Sequence, residues 1–189
     1  MSGTAELHPD ATLTPSKRDL LVAWLPTQPW FHGDAADLEM LGNYRFVDPD
    51  GDVGIETHLV RSGDATYQVP LTYRSAPLDE AAEGLVGTME HSKLGTRWVY
   101  DAPLDPVYVA ELIRVIREGD SEADRSSGDK TAWVEGSGVV PGVDVTGQLR
   151  IAREVGNDEH FTPENARGIL TGTWNDGCEP RNAVLACLK

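Results

Sequence analysis

The chain has 189 residues, with 31 Asp and Glu against 16 Lys and Arg, a formal net charge of −15. Such a charge repels nucleic-acid phosphates and anionic membrane surfaces, so neither is expected as a partner. The length also excludes a complete (β/α)₈ barrel, which takes roughly 250 residues, while 40% hydrophobic residues are enough for a globular core.

Residues 1–13 carry no basic start and no apolar run, so they read as a loose tail rather than a secretory signal, and a cytoplasmic location is expected. Ser16, with Asp19 three positions on, is a variant capping box. It opens a helix whose Leu20, Leu21, Trp24 and Leu25 share one face, and Pro26 stops it. Leu25–Gly33 follows as a packed loop with two prolines and two large aromatics.

The period then changes to two. Tyr44–Val47 reads as a short strand and Asp48–Asp52 as its turn. Ile55, Thr57 and Leu59 alternate with Glu56, His58 and Val60 in the next strand. Tyr67, Val69, Leu71 and Tyr73 line one face of a third strand, where Pro70 points to an edge or a bulge because it cannot donate to a ladder. Thr96–Tyr100 adds a further short strand. The best helix starts at the Asp105 cap with Pro106 at its first position and ends at Gly119. Val109, Leu112, Ile113 and Ile116 form its apolar stripe.

Residues 119–130 are acidic and small, and read as a linker or loop between a region at 14–118 and a β-rich region at 131–189. Strands are expected in the latter at Thr131–Glu135, along the alternating Val143, Val145, Gly147, Leu149 and Ile151, at Gly168–Trp174 and at Asn182–Leu188. The fold class is therefore α+β, an antiparallel meander with an N-terminal and a longer central helix, followed by further antiparallel strands. Residues 131–189 are expected to continue the same domain, since each piece alone is small for an independent core.

The chemistry-bearing motifs are few. No phosphate-binding G-x-x-x-x-G-K-[ST], no kinase catalytic loop and no G-x-S-x-G occur, so neither self-sufficient phosphoryl transfer nor a serine hydrolase is expected. Asp48, Asp50 and Asp52 lack the glycine and glutamate positions of a calcium loop, and a hairpin turn explains them. Cys178 and Cys187 could meet across a hairpin, but two buried or half-buried free thiols fit a chain without a secretory signal better. A zinc site would need more ligands than the nearby His160, so no metal and no cofactor is expected. Glu90 and His91 are the candidate acid–base pair, unless they face solvent or hydrogen-bond their loop into shape. Candidate ligand-binding residues are Trp30, Phe31, His32 and Arg97, since aromatic faces stack on sugar rings. Trp24, Trp30 and Trp98 also fit a core position, while Trp133 and Trp174 stay open.

Three stretches together carry a resemblance. Trp24-Leu-Pro-Thr-Gln-Pro-Trp30-Phe31-His-Gly33, then Tyr67-Gln-Val-Pro-Leu-Thr-Tyr73-Arg74, then Leu85-Val-Gly87-Thr88 with Arg97-Trp-Val-Tyr-Asp101-Ala and Asp105-Pro106 follow in order. The set resembles the N-terminal cap of actinobacterial maltokinases over about residues 16–118 and, more closely, stand-alone cap-like proteins, some labelled 1,4-α-glucan branching proteins. The resemblance implies an antiparallel, cystatin-like cap and a place beside maltose, trehalose or α-glucan metabolism. In the kinases the catalytic residues belong to a body this chain lacks, so none carries over. Pro29 stands where the kinases usually carry arginine. The branching-enzyme label conflicts with the length. The implied function is a non-catalytic module that binds a saccharide or a protein partner such as a sugar kinase or α-glucan enzyme. The alternatives are a small saccharide-active enzyme using Glu90 and His91, or a cap acting in trans on a capless kinase.

Overall fold

A computed structural model describes residues 3–126, 129–142, 149–158 and 161–189. In chain order it contains β1 (Thr4–Ala5), β2 (Leu13–Thr14), α1 (Lys17–Trp24), β3 (Glu39–Val47), β4 (Gly54–Ser62), β5 (Ala65–Arg74), β6 (Leu85–His91) and β7 (Gly95–Asp101). There follow α2 (Pro106–Glu118), β8 (Asp124–Arg125), β9 (Ala132–Gly136), β10 (Leu149–Ile151), β11 (Gly168–Asn175) and β12 (Pro180–Leu188). The architecture is the expected α+β one. A six-stranded antiparallel sheet has the order β2-β6-β7-β5-β4-β3, and a four-stranded antiparallel sheet the order β10-β12-β11-β9.

Both helices start as their sequences dictate. The Ser16 hydroxyl accepts from the Asp19 N–H and the Asp19 carboxylate from the Ser16 N–H, a reciprocal cap that satisfies two orphan donors. Asp105 caps α2 through the Val107 N–H and is itself clamped by Nε and Nη2 of Arg74 and by the Thr72 hydroxyl, each at 2.7 Å. Gly119 closes α2 in the left-handed region, at φ 65°. The buried face of α2 is wider than the expected stripe: Tyr108 and Val115 join Leu112 and Ile116 inside, while Val109 and Ile113 are half-buried.

The six-stranded sheet is covered on both faces. Leu20, Leu21, Trp24 and Leu25 pack over Val60, Tyr67, Val69 and Leu71 on one side. On the other, Tyr44, Ile55 and Leu59 share a core with Leu112, Ile116, Leu170 and Leu185 from α2 and the four-stranded sheet. Contact with the latter is intimate: a Cβ at Gly136 on β9 would lie 2.1 Å from the Val115 carbonyl of α2. Gln68 fastens the two sheets, its amide donating to the carbonyls of Ala152 and Leu185 while its oxygen accepts from Tyr44.

Several expectations change here. The opening residues are not a loose tail in this structure: β1 pairs with β8 in parallel and β2 pairs with β6. Nor is 119–126 a free linker. Ser121 bridges to Glu135 on β9, while the Ala123 N–H donates to the Arg45 carbonyl on β3, so the segment runs as a seam between the open edges of both sheets. Glu122 holds it in place, accepting from Lys130 and from the Val134 N–H. The first strand begins at Glu39, five residues before Tyr44. Strand β5 is interior at its C-terminal half, where Leu71–Arg74 pair with β7. The Gln68 N–H, on the same side as the ring of Pro70, donates to the Arg153 carbonyl, so the missing donor of Pro70 falls in the gap between these two sets of partners. Cys187 is buried as expected, but Cys178 is exposed, and both are free. The alternation expected at Val143, Val145 and Gly147, and His160, lie outside the described residues, whereas Leu149–Ile151 form β10. No helix among the described residues is long and apolar enough to cross a membrane.

Candidate functional site

A polar cleft of about 1200 Å³ lies between the tip of the β4–β5 hairpin, residues 36–40, residues 154–157 and the β11–β12 hairpin. Its first wall is set by a close approach. Gly33 lets the chain pass so near β4 that a Cβ would stand 2.5 Å from the Ser62 hydroxyl. That hydroxyl accepts from the Asp34 N–H at 2.8 Å and donates to the Asp34 carbonyl at 2.9 Å, locking residues 34–38 beside β4. Arg18 on α1 reaches the wall from behind and donates to the Leu38 and Ala36 carbonyls.

Arg61 spans the floor, donating to the Asp176 carbonyl at 2.9 Å and to the Glu39 carboxylate at 2.5 Å. The Glu39 partner raises the Arg61 pKa further. The opposite wall is an Asp-capped turn: Asp176 accepts from the N–H groups of Glu179 and Cys178 and from Arg181, and these donors hold its carboxyl well below the usual range. Asp64 and Asn157 stand at the rim, with Asn157 donating to Glu154 at 2.8 Å. The lining carries five carboxylates (Asp37, Glu39, Asp64, Glu154, Asp176) and three guanidinium groups (Arg18, Arg61, Arg181). Planar amide, carboxylate and guanidinium groups of this kind give and take hydrogen bonds in pairs, which suits a polyhydroxylated ligand. The excess of carboxylates disfavours an anionic one.

The sequence-derived candidates lie elsewhere. Glu90 and His91 are successive residues of β6, so their side chains leave the strand on opposite faces. Glu90 accepts from the Thr96 hydroxyl at 2.7 Å. His91 Nδ1 accepts from the Lys93 and Leu94 N–H groups, both at 3.2 Å, and its ring meets His8 edge-on at 5.6 Å. Burial, then His8 and Arg97, lower its pKa. Both side chains shape the β6–β7 turn. Arg97 donates to the Leu94 carbonyl of that turn.

Trp30 is half-buried, 5.9 Å from Trp24 and 4.6 Å beneath the Arg153 guanidinium. Phe31 is buried against Tyr67 at 4.9 Å, and only the His32 side chain is exposed. Arg153 also pairs with Asp101 at 2.5 Å, and Glu154, next to it, lines the cleft. Trp30 is thus one residue removed from the cleft wall rather than part of it.

Sequence reasoning missed a second concentration of charge. Glu56 on β4 is 2% exposed and paired with Lys17, Arg45 at 3.1 Å and His58 at 3.4 Å. Burial alone would raise its pKa, but these neighbours overturn that and hold it well below the ordinary value. Tyr73 closes the cluster, its hydroxyl 3.2 Å from His58 Nε2. The alternation of β4 showed Glu56 and His58 sharing a face, yet not that α1 would cover that face.

The Asp48 carboxylate is spent inside its hairpin turn, accepting from the N–H groups of Asp50, Asp52 and Val53. No curated protein matches the chain. Residues 24–105 match the family model described as the maltokinase N-terminal cap domain. That match runs from the last residue of α1 through β3–β7 to the Asp105 cap, taking in the Gly33 approach and the Arg61 floor of the cleft but not its β11–β12 wall. Over residues 24–105 the chain is thus similar to the N-terminal cap domain of maltokinases.

Proposed function

We propose that this chain is a non-catalytic cap-like module of maltose and α-glucan metabolism that holds a neutral saccharide in the cleft. The cap match supports the metabolic setting and an association with a kinase-type enzyme. The observation that carries the ligand class is the lining itself: an open cleft of about 1200 Å³ with paired planar polar groups and more carboxylates than guanidinium groups. That balance favours maltose, trehalose or a malto-oligosaccharide over a sugar phosphate or Mg-ATP. Against the enzyme alternative weighs the placement of Glu90 and His91 on opposite faces of one strand, each engaged in its own turn. The net charge of −15 favours a basic patch on the kinase-type partner, with association weakened by salt.

Thermal unfolding against a panel of maltose, trehalose, malto-oligosaccharides, glucose phosphates and Mg-ATP tests the reading. Ligand at a hundred times its Kd raises the midpoint by about 5–10 °C for a chain of this length. The expected result is a rise with a neutral saccharide, reduced in a variant combining Asp64→Ala and Asn157→Ala. A rise with phosphates or Mg-ATP alone, or no rise across the panel, overturns it.

A further inference from the structure

The outer face of the four-stranded sheet presents an aromatic that the core does not use. Strand β9 alternates strictly: Ala132 and Val134 are buried beneath the sheet, while Trp133 points away and is 48% exposed. Register places it in a row across three strands, Trp133 on β9 opposite Thr173 on β11, which is opposite Asn182 on β12. The Asn182 amide donates to the Thr173 hydroxyl at 2.9 Å, which fixes the amide plane along the row. The row is about 10 Å long, two strand spacings, and its three side chains are uncharged, with Glu135 next along the same face of β9. Asn182, at its far end, is also among the residues that line the cleft.

An exposed indole with hydroxyl and amide groups in line is amphipathic in the way a sugar ring is. The indole covers the ring's C–H face, and the polar groups exchange hydrogen bonds with its hydroxyls. An uncharged row offers little to the basic patch of a protein partner. We infer that Trp133, Thr173 and Asn182 form an extension of the cleft that carries the continuing chain of a longer α-glucan. The inference rests on the saccharide reading of the cleft and adds chain length to its specificity.

Calorimetric titration of the full chain with maltose and with maltoheptaose tests it, on the unaltered protein, on Trp133→Ala, on Trp133→Tyr and on the variant combining Asp64→Ala and Asn157→Ala. The expected result is that maltoheptaose binds the unaltered protein about tenfold more tightly than maltose, about 1.4 kcal/mol. Trp133→Ala should erase that gain and leave maltose binding unchanged, and Trp133→Tyr should keep part of it. If Trp133→Ala binds maltoheptaose as well as the unaltered protein does, while the rim variant weakens both sugars, the extension is overturned and the cleft reading stands. If neither sugar binds the unaltered protein, the cleft reading falls and the extension with it. If Trp133→Ala changes only self-association in sedimentation, the row is a contact between copies and the inference is overturned.

Discussion

The two faces of β4 are buried alike and built in opposite ways. Toward α1 the strand presents Glu56, His58 and Val60; toward α2 it presents Ile55, Thr57 and Leu59, and all six residues are at most 2% exposed. The α2 side is stabilised by apolar area and close packing. On the α1 side a carboxylate is buried only because Lys17 and Arg45 reach it from α1 and β3. The cap sheet thus has one face that tolerates volume-conserving change and one that depends on a complete set of charges.

That contrast can be broken most forcefully at Glu56. Glu56→Ala removes the carboxylate that pairs with Lys17, Arg45 and His58, and we expect a loss of about 3–5 kcal/mol in denaturant unfolding. On the opposite face Leu59→Ala should cost about 2–5 kcal/mol by cavity formation. The two are separable by a double substitution: Glu56→Leu with Lys17→Met should recover most of the first loss, whereas no charge change repairs the second.

A pH series sharpens the comparison. The folded-state pKa of Glu56 lies below its unfolded value, so its contribution is fully present above the unfolded carboxylate range, roughly pH 4.3, and is lost as pH falls through the folded pKa. Asp105 acts in the same direction, because its hydrogen bonds outweigh burial. Asp101 acts in the opposite one, since burial raises its pKa and penalises its charged form. The midpoint of thermal unfolding should hold steady above about pH 5 and fall below about pH 4, with a shallower fall in Glu56→Gln. An equally steep fall in that variant would assign acid sensitivity to other carboxylates.

Smaller effects are expected from a hydroxyl and an exposed ring. Thr57 is fully buried, and its Oγ1 stands near the phenols of Tyr44 and Tyr108 without a well-formed hydrogen bond. Thr57→Val should therefore change stability by no more than about 1 kcal/mol, in the stabilising direction. Trp133→Ala should stay within about 0.5 kcal/mol of the unaltered protein; a larger loss would mean that the ring supports the sheet after all.

Local rules carried much of the fold. The Ser16–Asp19 box, the Asp105-Pro106 start and the Gly119 stop are short-range devices, and each appears in the structure as its residues dictate. Alternation likewise separated the two faces of β4 and β5. What sequence could not show depends on distant partners. Residues 119–126 look like a linker because they carry no apolar periodicity, yet the Ala123 N–H donates to the carbonyl of Arg45, about 80 positions back. The cleft is still less legible. Arg61, Asn157 and Asp176 fall in separate stretches, and no local periodicity brings them together. Trp133 is a lone aromatic in an alternating strand, which can face either way; the burial of Ala132 and Val134 on the other face decides it.

The two cysteines give the β11–β12 hairpin a practical consequence. Cys178 lies exposed in the turn whose N–H it donates to Asp176, a residue lining the cleft, whereas Cys187 is fully buried on β12 and its thiol pKa is pushed up by that burial. A maleimide dye added to the native, unmutated chain would consequently attach at one position, beside the cleft mouth. The molecule comes with its own attachment point for an optical reporter of occupancy.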